Sequence, residues 1–362
     1  MTCAGCRKAI SGAYITAMDR KWHSECFKCA GCRKSIGQES YYQHTGKPYH
    51  GACYHQQFSP RCALCKGVIT TTYITALGKS WHDDHFQCAD CGKRLKGLSH
   101  HTRQDKPYCE KCFHNRFSPR CAVCDEPMTQ SYLVNSWGDK YCKRHNSELP
   151  KCFSCDRLIC TRLTKGGQRY EDGRTMCNGC WSSAVTRVDQ GQHNLQQVRR
   201  TISHFGLDIG KVSIPLRLVN QDQIRRESKH KYAKNPAGLC SKVIEYPKNQ
   251  EHRYVKEILI LWGLPREHFE AVAAHELCHA WLFLNNFPSL DHIVEEGICE
   301  LSEYLYLKQQ RTGEAARRVA HMESDQNDDP VYGAGFHAAH KALGKRSLPT
   351  LLSYVRQYAR LP

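Results

Sequence analysis

The chain has 362 residues, of which 40% are hydrophobic and 24% charged, an ordinary composition for a globular protein of two or three domains. Its formal net charge of +17 raises the question of anionic partners such as nucleic acids. Its apolar runs stay well short of the ~18 residues of a membrane span, and the N-terminal MTCAGCRKAI has no signal-peptide core. We therefore expect a cytoplasmic protein without a membrane partner, with the nucleus as the alternative location.

Cysteine is the unusual residue of this composition, with 23 copies concentrated in the first half. The number is odd, the spacing is repeatedly Cys-x2-Cys and no secretory signal is present, which favours metal-bound thiolates over disulfides. Metal-bound cysteines are deprotonated, so the formal charge overstates the positive excess. We therefore do not expect a nucleic-acid partner.

A repeat organises the first half of the chain. SPRCALC at 59–65 and SPRCAVC at 118–124 place Cys3, Cys62 and Cys121 at intervals of 59 residues, which predicts three similar modules up to about residue 183. Modules one and two each supply eight ligands, enough for two tetrahedral structural zinc sites that replace a large core. The predicted ligand sets are Cys3, Cys6, His23 and Cys26; Cys29, Cys32, His50 and Cys53; Cys62, Cys65, His82 and His85; and Cys88, Cys91, Cys109 and Cys112.

Module three departs from this spacing. Six residues separate its two predicted sites, where the other modules have two, and Cys160 is a spare thiol that could substitute as a ligand. Its predicted ligand sets are Cys121, Cys124, Cys142 and His145, and Cys152, Cys155, Cys177 and Cys180.

The spacing C-x2-C-x16-H-x2-C-x2-C-x2-C resembles the LIM domain, with His50 and His85 at positions that more often hold Cys. The third module is LIM-like. This resemblance implies small β-rich zinc ribbons that recognise other proteins rather than DNA, with inert spacers as the alternative.

Beyond Trp181 the zinc spacing stops. Residues 184–205 suggest a polar, partly helical connector, and 221–236 a basic surface loop. Strand character appears at 211–219 and 239–246, and KEILILW at 256–262 predicts a buried strand.

The stretch AVAAHELCHAWLFL, residues 271–284, contains a His-Glu-x-x-His motif in a predicted helix. His275 and His279 lie one helical turn apart, so both imidazoles can face one metal ion, and Glu276 is the candidate general base. The alternative is a core helix with two stray histidines. Cys278, inside the motif, and Cys240 and Cys299 are predicted to be buried and inert.

A second helix is predicted after Asp291, its N-cap, and it contains Val-Glu-Glu-Gly. This stretch resembles the gluzincin metallopeptidases, which implies Glu296 as the third zinc ligand and Gly297 as the point where the two helices approach. Glu295 is the alternative ligand. Glu300, one turn further on, is placed to accept a hydrogen bond from a zinc-bound imidazole.

The oxyanion of a hydrolytic reaction also needs a hydrogen-bond donor. Tyr332 is the candidate, and His337 and His340 are the alternatives.

The combination of LIM modules with AHELCHAW, VEEGIC and YGAGF resembles the ubiquitin-activated LIM-domain peptidases that regulate plant organ size. That family implies a latent zinc peptidase, with His275, His279 and Glu296 as ligands and Glu276 as base. Plant members carry ubiquitin-interacting helices ahead of the LIM region, whereas this sequence opens directly on Cys3. We therefore expect either a truncated chain or a shorter, bacterial relative.

Together these patterns predict a multidomain chain: LIM domain 1 (1–58), LIM domain 2 (59–117), a divergent LIM-like domain (118–183) and an α+β, zincin-like (gluzincin) metallopeptidase domain (184–362). The predicted cofactors are one catalytic and about six structural zinc ions. The predicted function is cleavage of protein substrates, with LIM modules that recruit partners or gate the site, and with ubiquitin or ubiquitylated proteins as partners. The alternative is a LIM scaffold with an inactive peptidase domain.

Overall fold

The computed structural model of the chain describes residues 1–228, 236–324 and 329–362. The chain forms two compact units, Met1–Ser118 and Pro119–Pro362. Across the described ranges, none of the helices combines the length and the apolarity that crossing a bilayer requires.

The first unit contains two modules of the same construction, each with two antiparallel β-hairpins followed by a helix. Such short hairpins cannot form a sheet large enough to fold alone, which is consistent with modules organised around metal ligands. Module one has β1 (Ile15–Ala17), β2 (Arg20–Trp22), a 3-10 turn at Ser24–Cys26, β3 (Tyr41–His44), β4 (Lys47–His50) and α1 (Gly51–Phe58). Module two has β5 (Tyr73–Ala76), β6 (Lys79–His82), β7 (His100–Arg103), β8 (Lys106–Cys109) and α2 (Glu110–Phe117).

Each of these modules has a small apolar core of its own. Phe27 and Ile36 are buried in module one, and Phe86 and Leu95 are buried in module two. Each residue of the second pair lies 59 positions after its counterpart. The repeat of the cysteines therefore extends to the core.

The second unit begins with module three, which again has two hairpins. Cys160, the spare thiol, is the N-cap of a short helix, where its sulfur accepts a hydrogen bond from Leu163 N at 3.3 Å. The elements are β9 (Tyr132–Val134), β10 (Lys140–Cys142), α3 (His145–Glu148), α4 (Thr161–Thr164), β11 (Gly167–Arg169), β12 (Thr175–Cys177) and α5 (Asn178–Trp181).

The rest of the second unit has an α+β architecture, with a three-stranded sheet against one large helical core. The longest strand is central, and its two neighbours form the two edges of the described sheet, the first parallel to it and the second antiparallel. The elements are α6 (Val188–Ser203), β13 (Leu216–Val219), α7 (Gln221–Glu227), β14 (Gly238–Glu245), a 3-10 turn at Pro247–Asn249, β15 (His252–Leu261), α8 (Arg266–Leu284), α9 (His292–Gln309), α10 (Gly313–Met322), α11 (Tyr332–Leu343) and α12 (Leu348–Tyr358), and the sheet order is β13-β15-β14.

Two segments differ from the sequence-based expectation. The predicted polar connector contains α6, whose Leu195, Val198 and Ile202 are fully buried, so it is a packed part of the core. The predicted basic loop contains α7, which begins with a capping box at Asn220. The remaining residues of that loop, 229–235, lie outside the described residues.

Gly297 has a different partner from the one predicted. A Cβ on Gly297 would lie 2.3 Å from the carbonyl oxygen of Gly335, and a Cβ on Gly335 would lie 2.6 Å from the carbonyl oxygen of Ile293. The two glycines therefore allow α9 and α11 to pack backbone against backbone. We predicted that Gly297 brings α9 close to the motif helix α8. That prediction is wrong, because the position of a Cβ on Gly297 points to the backbone of α11. That contact brings Tyr332, at the start of α11, toward the HExxH site.

Candidate metal centres

The modules bring most of the predicted structural ligands into compact groups, with the donor atoms of each group within 4.8 Å of one another. These groups are Cys3, Cys6, His23 and Cys26; Cys29, Cys32, His50 and Cys53; Cys62, Cys65, His82 and His85; Cys88, Cys91, Cys109 and Cys112; and Cys121, Cys124, Cys142 and His145.

The imidazoles of these groups face the thiols in two ways. His23 Nδ1 lies 3.4 Å from Cys6 Sγ, while its Nε2 lies 3.3 Å from the Ala9 carbonyl. In module three the orientation is reversed, because His145 Nδ1 contacts Glu148 at 3.0 Å and His145 Nε2 is buried without a hydrogen-bond partner in the described residues. A zinc ligand needs one ring nitrogen free of other partners and the other held by an acceptor, so both orientations fit the ion.

Backbone amides favour the thiolate form that zinc requires. Burial would raise the pKa of Cys3, but backbone hydrogen bonds from Cys6, His23 and Gly5 lower it to about 6. Cys62 has the same balance, and its pKa is also lowered to about 6. The first thiol of each of these two sites therefore ionises more readily than a free cysteine, whereas burial and the neighbouring thiols raise the pKa of Cys26, in the same group as Cys3, to about 11.

The last group of thiols, in module three, is the most deeply buried. Cys152 and Cys155 are 2% and 3% exposed, and Cys155 Sγ lies 3.8 Å from Cys177 Sγ. The thiols of Cys155, Cys177 and Cys180 donate hydrogen bonds that lower the pKa of Cys152. The four sulfurs thus form one cluster, as a tetrathiolate zinc site requires.

A separate candidate centre lies on α8, which is buried from Phe269 to Leu282. This burial explains the all-round apolar sequence of the helix, because it has no solvent face over that stretch. The imidazoles of His275 and His279 lie on one face with ring centroids 5.0 Å apart, and they are 8% and 9% exposed. Such burial of polar rings requires specific partners.

Helix α9 provides those partners. It begins at Asp291, whose side chain accepts a hydrogen bond from Ile293 N, which confirms the predicted N-cap. Glu296 Oε2 lies 3.1 Å from His275 Nε2 and 3.5 Å from His279 Nε2. Ligands at zinc distances of ~2.0–2.1 Å in a tetrahedron are about 3.3–3.4 Å apart, so these donor atoms fit zinc.

The other carboxylates of α9 contact the outer nitrogens of the same rings. Glu300 Oε1 lies 3.4 Å from His275 Nδ1, and Glu295 Oε1 lies 2.9 Å from His279 Nδ1. Of the two adjacent glutamates, only Glu296 therefore faces both Nε2 atoms, whereas Glu295 supports a ring from behind.

The charges of these side chains depend on one another. Burial would lower the pKa of His275 and His279, but Glu296, with Glu300 and Glu295, holds the pKa of His275 well above its ordinary value and raises that of His279 to about 9. Burial would raise the pKa of Glu296, but the two imidazoles lower it. A cation that binds here would displace imidazole protons, because zinc ligands must be deprotonated.

Glu276 is 6% exposed and lies against β14, the edge strand. A Cβ on Gly238 would lie 2.5 Å from Glu276 Oε1, so only glycine lets the strand pass this carboxylate. Burial, more than any other cause, raises the pKa of Glu276. Sequence reasoning missed Gly238, although an isolated glycine at the start of a strand pattern often marks such a close approach.

Tyr332 is the one oxyanion candidate that the fold brings to this centre. Its ring centroid lies 6.3 Å from that of His275, and it lines a cavity of about 320 Å³ with Glu276 and Gly238. Burial raises the pKa of its hydroxyl. His340 instead stacks on Phe336, with ring centroids 5.3 Å apart.

The remaining predictions concern residues at the edge of the centre. His337 contacts the Phe336 ring rather than the cavity lining. Cys240, Cys278 and Cys299 are buried, at 6%, 0% and 0% exposure, as predicted.

The fold and the ligand groups define a LIM-type zinc-ribbon protein with a second, histidine- and glutamate-based candidate centre in an α+β unit. Comparison with known proteins agrees with this class. The LIM domain family model matches residues 3–58 and 62–117, and the family model described as DA1-like, Protein DA1, matches residues 210–328. Protein DA1-related 2 of Arabidopsis thaliana is 26% identical over 400 aligned positions, which cover 87% of this chain and 75% of the relative.

The chain therefore combines the LIM domains and the DA1-like domain that mark the DA1-type family of LIM-domain proteins. This confirms the resemblance predicted from AHELCHAW, VEEGIC and YGAGF. Tandem LIM modules followed by a DA1-like domain are its architecture.

Proposed function

We propose that this chain is a zinc-dependent endopeptidase that cleaves protein substrates, with a gluzincin-like catalytic domain in its second unit. One observation carries the proposal: Glu296 Oε2 lies 3.1 Å and 3.5 Å from the Nε2 atoms of His275 and His279, beside the buried carboxyl group of Glu276. Three ligands, a candidate base and an adjoining cavity are the components of metal-assisted hydrolysis.

The residues around the ligands have complementary tasks. Zinc held by His275, His279 and Glu296 would supply a more acidic water and a polarised peptide carbonyl. Glu276 accepts a proton from water, since its raised pKa makes it a better base than an exposed glutamate, and it returns the proton to the leaving amine. Tyr332 remains protonated at neutral pH and donates a hydrogen bond to the oxyanion.

The edge strand offers a position for the substrate chain. In the described part of the sheet, β14 pairs on one side with β15, so its other side can pair with an extended peptide. Gly238, the first residue of β14, adjoins Glu276 and lines the same cavity. A peptide paired with β14 would therefore pass the base.

The LIM modules have a recognition role in this proposal. They recruit protein partners or gate the active site, and ubiquitin or ubiquitylated proteins are among these partners. The domain limits predicted above, with a catalytic domain over 184–362, belong to the same proposal, as do one catalytic and about six structural zinc ions and a cytoplasmic location.

The test compares zinc content and cleavage in the full chain and in two variants. His275→Ala should hold about one zinc fewer per chain than the wild type. Glu276→Gln should keep that zinc and lose roughly 10²–10⁴-fold in cleavage rate, because only proton transfer is removed. Cleavage is measured by mass spectrometry on a library of denatured protein fragments, with the chain used before and after ubiquitylation.

Two results would contradict the proposal. Equal zinc content in the wild type and His275→Ala would mean that the motif holds no metal. Equal product patterns in the wild type and Glu276→Gln under both conditions would leave the alternative, a LIM scaffold with an inactive peptidase domain.

A further inference from the structure

Lys242, on strand β14, contacts Glu295, the carboxylate that holds the outer nitrogen of the candidate zinc ligand His279. Lys242 Nζ donates a hydrogen bond to Glu295 Oε1 at 2.9 Å, and the same oxygen lies 2.9 Å from His279 Nδ1. Lys242 and Glu295 are 53 residues apart in sequence, and their side chains are 33% and 27% exposed. Lysine, carboxylate and imidazole thus form a chain from β14 to the candidate metal position.

Strand alternation directs the lysine side chain to the cleft. Lys242 lies two residues after Cys240, so the two side chains project from the same face of β14. Both residues line the cleft that also contains His279 and Glu295. The pairing of β14 with β15 changes register here, because Ser241 pairs with Glu257 and Lys242 with Val255, which places the extra residue of the bulge on β15.

The lysine also resolves a competition between neighbouring carboxylates. Glu295 and Glu296 are adjacent on α9, and both contact His279, the first at Nδ1 and the second at Nε2. A carboxylate on Nδ1 fixes the ring with Nε2 toward a metal, whereas a carboxylate that swings to the metal competes with the proper ligand. A cation bound to Glu295 favours the first arrangement.

We propose that Lys242 is a positioning residue of the metal centre. It holds the Glu295 carboxylate on His279 Nδ1 and away from the metal, so that Glu296 is the third ligand. This inference rests on the proposed zinc site, and it adds that the edge strand and the metal ligands are coupled. A shift of β14, such as pairing with a peptide would produce, acts on His279 through one ammonium group.

The experiment measures zinc affinity of the full chain by competition with a chelator, with His275→Ala as the background from all other sites. Lys242→Met should weaken zinc binding by roughly 10-fold, the lower end of the range found when the outer partner of a metal-bound histidine is removed, because Lys242 acts through that partner, Glu295. Lys242→Arg keeps the cation and should recover most of the affinity. Lys256→Met, an exposed lysine on the neighbouring strand, is the matched control and should bind like the wild type.

A double-variant cycle separates positioning from general stability. If Lys242 acts through Glu295, Lys242→Met in a Glu295→Gln background should cause little further loss of zinc affinity. Additive losses, or a Lys242→Met affinity equal to that of Lys256→Met, would overturn the proposal while leaving the zinc site intact. Wild-type zinc no higher than in His275→Ala would overturn the zinc site itself. Circular dichroism of each variant shows that the comparison is made on folded chains.

Discussion

Modules one and three both contain two groups of four zinc ligands, but they are packed differently. In module one, Cys29 packs into a small apolar core together with Phe27 and Ile36, all of which belong to the module itself. In module three the corresponding turn after Cys152 carries Phe153, which packs against the large core of the second unit. Module three has small apolar clusters of its own, but through Phe153 it also packs against the large core.

Polar contacts of the same turn support this difference. Ser154 Oγ lies 3.0 Å from His268 Nδ1 in the first turn of α8 and accepts a hydrogen bond from Arg318 at 2.9 Å. Tyr170 donates a hydrogen bond to the Gly263 carbonyl just before α8. The second zinc cluster of module three thus contacts the start of the helix that carries His275 and His279.

Ligand spacing therefore identifies a zinc module, but it does not show which neighbouring segments pack against that module. The predicted border at 183/184 lies within the second unit, and Arg266 N donates a hydrogen bond across it to the Ser183 carbonyl. A fragment that starts after this border would lack the contacts that hold the N-terminus of α8.

The largest expected effect comes from breaking the shared cluster. Cys152→Ser should remove its zinc, worth up to roughly 10–16 kcal/mol of folding free energy, and with it the ordered start of α8. We expect the chain to lose at least two zinc ions, because the His275 site depends on that helix. Cys29→Ser, at the matching position of module one, should lose only about one zinc ion per chain.

Zinc analysis after dialysis and thermal unfolding by circular dichroism measure this difference. Equal zinc losses in Cys152→Ser and Cys29→Ser would mean that module three is as self-contained as module one.

A smaller effect should follow from a buried ion pair of module three whose two residues also bond to the backbone of the α+β part, Arg174 to the Trp262 carbonyl and Asp172 to Gln221 N. Arg174 binds Asp172 at 2.8 Å, the two side chains are 5% and 2% exposed, and Arg174 also donates to the Trp262 carbonyl. Arg174→Leu leaves the Asp172 carboxylate buried without its cation, which should destabilise the second unit by about 3–5 kcal/mol.

The measurement is the melting temperature, with Arg169→Leu, an exposed arginine of the same hairpin, as the control. Roughly 10 °C should separate the two variants. A melting temperature of Arg174→Leu within a degree or two of the control would argue against a tight junction between module and sheet.

The parts that were predictable from sequence are the local ones. The thiolate ligands come in Cys-x2-Cys pairs, and His275 and His279 are one helical turn apart, so spacing alone defines them. Glu296 needed the resemblance to a family, because two adjacent glutamates cannot be told apart by spacing.

The rest depends on contacts between distant segments. Gly238 and Lys242 reach the centre only because β14 lies beside α8, and Gly297 faces α11 rather than α8. The helix α6 was recognisable in part, since Leu195, Val198 and Ile202 form a stripe at helical spacing within a polar segment.

The smallest predicted effect is a pH dependence of the free energy of unfolding. It arises from Glu303, which lies between module three and the cleft. It lines a cavity of about 550 Å³ together with Ser154 of module three and Arg318 of α10. Burial, and then the charge of Glu300, raises the pKa of Glu303 to about 7. The folded chain therefore binds a proton more tightly than the unfolded chain, whose glutamates titrate near pH 4.3.

Ionising Glu303 in the folded state costs stability, so this cost appears as the pH rises from about 4.3 to about 7 and is complete above that. Glu303→Gln should raise stability by about 2 kcal/mol at pH 8 and by almost nothing at pH 4.5. Glu171→Gln, which removes the same charge from an exposed site of module three, is the control variant. A gain at pH 8 that persists unchanged at pH 4.5 would reflect packing rather than titration. The absence of any gain would show that module three does not keep this carboxylate from water, and the junction would then be looser than the contacts of Ser154 indicate.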